Sequence, residues 1–564
     1  MSQEVSRTGA ELDQAYQDAV RAHGAGEFAR AAPLYDMLLG YAPDHPVLLL
    51  RRGVLARQMG DKAGALRWLQ LAALRAPEDG ETHSNLGNAL ADVGDPAARA
   101  IHLRAAALAP DHPGVQLNCA GYLATSSDPA PAIPMLEKIV AATPNNAMAW
   151  GLLGDARRAL GDDDGATAAM ERALALNPRD PDRWHNLGNL LYGLGAFGRA
   201  AKAFRASLEL RPDHPPTMTN LGLALLGTPE ALALHERAFA LDPTLLTAEM
   251  NRAVHHLRGG DAKEGWRAYE IRHQMPGNLR RDFTQPRWEG EPLEADQPLL
   301  LWAEQGTGDL LLKLRYVKPA MTRAKTVILE MHPGSRALAA GLPSGLTVLE
   351  RGEPLPPFAR HLPTSSLPRF FDAAPIDFPY LAPAPDAKAR WESRLPKSDR
   401  AKVGLIWAGN PGHTNDKLRS RRLAEFAPLL RHERARFYSL QVGGARAQLA
   451  DAPGAIEDLA DALTDFGETA AALTQLDLLI SIDTGTLNLA GALNCEAWAI
   501  LPPNHCWRWR MEGEMSPYYP SVRVFRQLAP ERGDAEPRDA VIARLDQALD
   551  RWLSAFPARG ATAS

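Results

Sequence analysis

An α-helical solenoid followed by an α/β region is the fold class this sequence predicts, and three observations predict it. A proline returns at a near-constant step. Pro43, Pro77, Pro110, Pro144, Pro178, Pro212 and Pro243 are separated by 34, 33, 34, 34, 34 and 31 residues. From Leu299 the rhythm changes to short apolar runs that alternate with helical patterns. Between these regions lies a stretch rich in proline and arginine, Met275 to Pro298.

A period near 34 is that of the tetratricopeptide repeat, a helix–turn–helix unit that buries its apolar face only against a neighbouring unit. Other columns keep the step. Gly53, Gly87, Gly154, Gly188 and Gly222 mark where the two helices of a unit pack closely. Ala65, Ala132, Ala166 and Ala200 occupy the small-residue position of the second helix, and Trp150 and Trp184 each precede the column glycine by four residues. Residues 1–274 therefore read as an extended, concave surface that holds another macromolecule.

Composition narrows the class. A chain of 564 residues suits three or four domains. With 62 Lys+Arg against 67 Asp+Glu, net −5, there is no electrostatic footprint for nucleic acid. No apolar run reaches the length of a membrane span, and Met1 is not followed by a basic and then an apolar stretch, so neither a membrane span nor export is expected. Cys119, Cys495 and Cys506 form neither a disulfide framework nor a zinc-site spacing. A cytoplasmic protein with no metal is the expectation.

In the second half, apolar runs at Leu299–Trp302, Thr326–Met331 and Leu346–Leu349 read as strands, and the rhythm resumes at Val403–Ala408, Phe437–Gln441, Leu478–Ile482 and Ala497–Leu501. Strands alternating with helices imply parallel sheets covered on both faces. The polar, proline-rich region Ala382–Asp399 separates two sets. The expected organisation is a linker at 275–297, one Rossmann-like half at 298–395, a second at 396–556 and a disordered tail at 557–564. An amphipathic pattern (Val541, Leu545, Leu549, Trp552) ends the second half. Two such halves place a site in the cleft between them, at the C-terminal ends of the strands.

Three segments carry the chemistry. In the first, a strand ending at Trp302 runs into the turn Gly306-Thr307-Gly308-Asp309 and then a helix. The glycines let backbone approach a ligand, and Asp309 either faces the cleft as a proton acceptor or caps its helix. In the second, the strand from Val403 ends at Trp407-Ala-Gly-Asn410, ahead of Lys417, Arg419, Arg421 and Arg422. These cations either neutralise a phosphate or form a solvated loop. In the third, the strand to Ile482 is followed by Asp483-Thr484-Gly485-Thr486 and a helix of small residues containing Asn488. Its N-terminal N–H groups and hydroxyls either receive a phosphate or serve capping and close packing.

The stretch from Leu301 to about Gln527 resembles the heptosyltransferase-like, GT-B-fold glycosyltransferases found fused behind tetratricopeptide repeats in bacteria. The matching pieces are WAEQGTGDLLLKLRYV, VGLIWAGNPGHTNDKLRSRRL, FYSLQ, DLLISIDTGTLNLAGAL and LPPNHCWRWR with SPYYPSVRVFRQ. The resemblance implies a GT-B fold of two Rossmann-like halves, the second of which holds a nucleotide-sugar donor. It implies a donor site at Trp407, Asn410, Lys417, Arg419, Gln441, Asp483, Thr484, Gly485, Thr486 and Asn488, turns at Gly306 and Gly308, and Asp309 as the catalytic base. The sequence departs from the pattern at Asn488, where a histidine is usual, and at Thr307, where an aliphatic residue is usual.

Repeats fused to such a domain are also similar to the O-GlcNAc transferases and to bacterial flagellin glycosyltransferases. In the former, asparagines hold the acceptor backbone. Here Asn85, Asn118, Asn186, Asn220 and Asn251 share one column, interrupted by Arg51 and Leu152. An amide both donates to and accepts from a peptide group, so the column either grips polypeptide or fills gaps between repeats. No Asp-x-Asp pair occurs between Leu299 and Gln527. The combined expectation is an inverting, metal-independent protein O-glycosyltransferase without a cofactor. Flagellin is the favoured acceptor. The favoured donor is a CMP-activated nonulosonic acid such as pseudaminic acid, with UDP or ADP as other carriers. A scaffold with a weakened transferase domain, or a transferase acting on envelope saccharide, are the alternatives.

Overall fold

The computed structural model describes residues 8–413, 415–452, 454–529, 533 and 535–556, so the tail at 557–564 lies outside the described residues. The chain divides into two compact units, Met1–Leu190 and Leu191–Ser564.

The first unit is built of antiparallel helix pairs, from Gly9–Gly24 with Phe28–Tyr41 to Ala147–Ala159 with Asp163–Leu176. Second helices end at Tyr41, Arg75, Leu108, Ala142 and Leu176, and the periodic proline stands two residues later each time. Proline lacks the N–H that would extend the helix, so each pair stops in register. Trp150 and Trp184 fix the same turn: their indole N–H groups donate to the carbonyls of Pro144 (2.9 Å) and Pro178 (3.0 Å). The column glycines are needed for contact. A Cβ on Gly53 would stand 2.6 Å from Leu69 Cγ, and one on Gly154 2.7 Å from Met170 Cγ. The alanine column is buried, so the helices approach closely, and leucines fill the rest of the core.

The second unit opens with Phe197–Leu210, the pair Pro215–Ala224 and Pro229–Leu241, and the pair Leu246–Gly259 and Ala262–Ala268, which runs into a 3-10 turn at Tyr269–Gln274. Two parallel sheets follow. The first contains β1 (Leu299–Trp302), β2 (Val327–Met331), β3 (Leu346–Glu350) and β4 (Arg360–Pro363) in the order β3-β2-β1-β4. The second contains β5 (Ala401–Ile406), β6 (Ala435–Ser439), β7 (Ile456–Asp458), β8 (Leu478–Ile482), β9 (Ala497–Leu501) and β10 (Val522–Arg526) in the order β10-β9-β8-β5-β6-β7. β1, β5, β8 and β9 are buried along their whole length, which is why they read as continuous apolar runs. The helix Arg538–Ala555 buries Val541, Leu545 and Leu549 in the core of the second sheet.

Two connecting regions are packed against the sheets. Residues 275–297, the expected linker, are anchored by buried side chains and backbone hydrogen bonds. Trp288 is 0% exposed, its N–H donates to the His361 carbonyl beside β4 (2.9 Å), and Leu293 is buried with its N–H on the Arg323 carbonyl (2.7 Å). The segment is a strap across the first sheet. The region Ala382–Asp399 likewise contains a helix, Pro385–Arg394, pinned by buried Trp391, whose indole donates to Glu468 (2.7 Å).

Candidate active-site cleft

In both sheets the strand order reverses beside the turn that matters. β1 lies between β2 and β4, and β5 lies between β6 and β8. At such a switch point the connections leave in opposite directions and open a crevice at the strand ends. A cleft of about 570 Å³ lies there, within the second unit. The turn after β1 enters it with Gly306, Gly308 and Asp309, the turn after β5 with Asn410 and Arg419, and the turn after β8 with Asp483, Thr484, Gly485 and Asn488.

The two glycine turns meet face to face. A Cβ on Gly308 would come within 3.4 Å of Asn488 Nδ2 and 3.6 Å of Gly485 Cα. A Cβ at either glycine would meet its neighbours at ordinary contact distance, so the two turns lie in van der Waals contact. Asp309 does not cap its helix: Gly306 is the N-cap of Thr307–Lys313, and the Asp309 carboxylate instead accepts from Arg508 Nη2 (2.5 Å). Arg508 Nη1 stands 3.8 Å from Asp483 Oδ1. Burial works against the charge of Arg508, but Cys506, Asp309 and Asp483 outweigh it and raise its pKa well above the usual arginine value. The cleft therefore holds one cation between two carboxylates.

Arg419 bridges the other two turns. Its Nη1 donates to the Asp483 carbonyl (3.1 Å), its Nε to Asp416 (3.0 Å), and its guanidinium covers Gly409 so closely that a Cβ there would stand 2.5 Å from Nη2. Thr484 is the N-cap of Gly485–Ala492, accepting from the Leu487 N–H (3.2 Å). Asn488 is buried with both ends of its amide engaged, Nδ2 donating to the Thr484 carbonyl (2.8 Å) and Oδ1 accepting from Tyr519 OH (3.0 Å). It shapes the wall, with one bond already made at each end of its amide.

Four expected donor residues lie outside the cleft lining: Trp407, Lys417, Gln441 and Thr486. Gln441 is buried and ties strand ends together, its Oε1 accepting from the N–H groups of Trp407 (3.1 Å) and Ala408 (2.9 Å) while Nε2 donates to the carbonyls of Ala408 (3.1 Å) and Val442 (2.8 Å). Trp407 is buried beneath the sheet end, Lys417 is exposed and Thr486 is half-buried. The asparagine column lies on the first helix of each pair. Asn118 is exposed and donates to Ser84 Oγ (3.0 Å), Asn85 donates to the Glu81 carbonyl (2.9 Å), and Asn85, Asn186, Asn220 and Asn251 are half-buried.

Sequence reasoning gave no role to several lining residues, chiefly Tyr269, His413, Asn504, Trp507 and Arg508. Arg508 sits in the loop after β9, another strand end at the same sheet edge. Burial and then the carboxylate of Asp309 push the Tyr269 phenol up to about 12, and its hydroxyl accepts from Gln305 Nε2 (2.9 Å). Burial lowers the pKa of His413.

Comparison with known proteins bears on the helical region most directly. Residues 16–81 and 181–214 match the tetratricopeptide-repeat family, and residues 154–195 match a TPR repeat. The helical region is built of tetratricopeptide repeats. The chain is similar to Protein FlbA of Caulobacter vibrioides, with 28% identity over 556 residues that cover 90% of this chain and 80% of that protein. Among solved structures it is similar to MamA from Desulfovibrio magneticus RS-1, with 27% identity, a TM-score of 0.28, and 30% of this chain and 96% of that chain covered. It is also similar to the APC/C hetero-tetramer Cut9-Hcn1, with 19% identity, a TM-score of 0.37, and 42% and 47% covered. Among the described residues, no helix is long and apolar enough to cross a membrane.

Proposed function

We propose that the cleft is the active site of an inverting, metal-independent GT-B O-glycosyltransferase that acts on a protein held by the tetratricopeptide repeats. The observation that carries this reading is the convergence of Asp309, Arg508 and the N-terminus of the helix Gly485–Ala492 on one cleft at the strand ends. An acceptor hydroxyl attacks the anomeric carbon from the side of Asp309, which takes the proton as the new C–O bond forms. The bond from the anomeric carbon to the phosphate oxygen breaks, and the negative charge leaves on the nucleotide. Arg508, Arg419 and the N–H groups at Gly485 are the groups placed to receive it. A donor phosphate competes with Asp309 for Arg508, so donor binding frees the carboxylate to act as base.

Flagellin as acceptor and a CMP-activated nonulosonic acid as donor follow from the architectural resemblance, with UDP and ADP sugars as the other donor classes. Tetratricopeptide repeats commonly bind polypeptide, which fits a protein acceptor better than a free saccharide. One observation favours a second reading, a scaffold with a weakened transferase domain. The position where a histidine is usual carries Asn488, whose amide is engaged on both sides within the protein.

Intact-mass spectrometry separates these readings. Flagellin incubated with the full chain and a panel of CMP, UDP and ADP sugars is expected to gain the mass of one sugar per modified site. Donor turnover with the sugar appearing only on saccharide points to the envelope enzyme, and absence of any donor turnover points to the scaffold.

A further inference from the structure

The loop Pro502–Arg510 carries Arg508, yet much of what holds it comes from the last tetratricopeptide helices. Arg258, near the end of the helix Leu246–Gly259, donates to the His505 carbonyl. Trp266 of the following helix meets Trp507 edge-on with ring centroids 5.0 Å apart, and Tyr269 adds a second edge contact at 6.3 Å. The Lys313 Nζ lies beside both indoles, 4.0 Å from the ring centroid of Trp266 and 4.8 Å from that of Trp507. Burial lowers its pKa well below the usual lysine value, and the two ring faces partly offset that cost for the charged form. Trp266 is itself fixed, its indole N–H donating to Asp372 (3.0 Å), which also accepts from Tyr316 OH (3.2 Å).

Beyond Arg508 the same loop is held differently. Arg526 of β10 donates to the carbonyls of Trp509, Arg510, Glu512 and Gly513. The loop is thus held from two sides: residues 505–508 meet the helices, while Arg526 holds residues 509–513, of which Arg510 and Met511 also lie beside Gly260 and Gly227.

We propose that the final helical pair is a positioning element of the cleft: Arg258 and Trp266 set Arg508, and through it Asp309. The positional claim rests on the contacts above, while its consequence for turnover rests on the transferase reading. Repeats that end here are then a wall of the site as well as a means of holding an acceptor, and severing them near Met275 removes that wall.

Hydrogen exchange on the full chain tests the positional claim, using Arg258→Ala and Trp266→Ala with Arg258→Lys and Trp266→Phe as conservative partners. Amide exchange across 504–508 is expected to quicken at least tenfold in the alanine variants, with β5 and β8 unchanged, and to return toward wild type in the Lys and Phe variants. Donor hydrolysis without acceptor should lose about tenfold in kcat in the alanine variants, and in a separate transfer assay the acceptor KM should stay unchanged. Where an alanine variant fails to fold, its conservative partner decides, through a smaller acceleration confined to the same segment. Unchanged exchange at 504–508, or acceleration that reaches β5 and β8 equally, overturns the proposal. If the wild-type chain turns over no donor, the transferase reading fails and the exchange result still decides the positional claim.

Discussion

The repeats before Leu190 and those after it obey the same period but are put to different uses. In the first unit a helix pair buries its own alanines and leucines against its neighbours, and its special residues serve the repeat itself, as Trp150 does on Pro144. In the second unit the last pair directs Arg258, Trp266 and Tyr269 at the α/β region. The difference teaches that the end of a repeat array is set by what the final unit touches, and that periodicity alone does not reveal it.

The largest effect belongs to the α/β region. Asp309→Asn keeps the shape of the carboxylate and removes its basicity, so turnover should fall by roughly 10²–10⁴ in steady-state assays, with little change in melting temperature because Gly306 is the N-cap. Loss of stability with normal turnover makes the residue structural. Next comes the helical region. Changing Asn186, Asn220 and Asn251 together to alanine should weaken acceptor binding by about one to three orders of magnitude, at about 0.5–1.5 kcal/mol per amide contact. Donor hydrolysis should persist, and an unchanged acceptor affinity in calorimetry removes the column from recognition.

A third prediction concerns a feature the two units share. His102 packs beneath Gly87 and His235 beneath Gly222, and burial lowers both to about 4. Above pH 6.5 each ring is neutral whether folded or unfolded. As the pH falls, the unfolded chain takes up the proton first, so stability declines from about 6.5 down to about 4, by about 3 kcal/mol per histidine. His102→Phe should remove that share of the acid sensitivity, as read by denaturant unfolding at pH 7 and pH 4. Equal acid sensitivity in the variant assigns it to other groups. The smallest effect expected is that of Arg419→Ala. Loss of a charge-assisted contact of about 1.5–3 kcal/mol should weaken donor binding about tenfold or more. Unchanged donor affinity in calorimetry would confine Arg419 to bridging its two turns.

Much of the helical region was legible because a proline that stops every second helix is a local signal. Another column went unread although it keeps nearly the same step: Gly26, Gly60, Gly94, Gly161, Gly195, Gly227 and Gly260 all have φ between 73° and 88° in the turn between paired helices. The buried strands showed as apolar runs, whereas β4, β7 and β10 did not. β4 (RHLP) has four residues and a proline, β7 (IED) has three residues, and β10 (VRVFR) alternates with arginine. The glycine turns located the cleft. Trp407 and Gln441 lie outside the cleft lining because a strand end in a parallel sheet needs its own backbone groups satisfied, and Gln441 satisfies them. Arg508 was missed because a tryptophan-rich loop has no phosphate-binding signature. Its place beside Asp309 comes from strand order, which joins residues 199 apart in the chain.

Direct titration of nucleotide sugars into the full chain bears most closely on the central claim, that this cleft binds an activated sugar through Arg508. Calorimetry with CMP, UDP and ADP sugars on the wild type and on Arg508→Ala reads both halves of it. One donor class is expected to bind at one per chain, with at least tenfold loss of affinity in the variant while the melting transition of the helical region is kept. No binding by any of the three classes, or equal affinity in the variant, would contradict it.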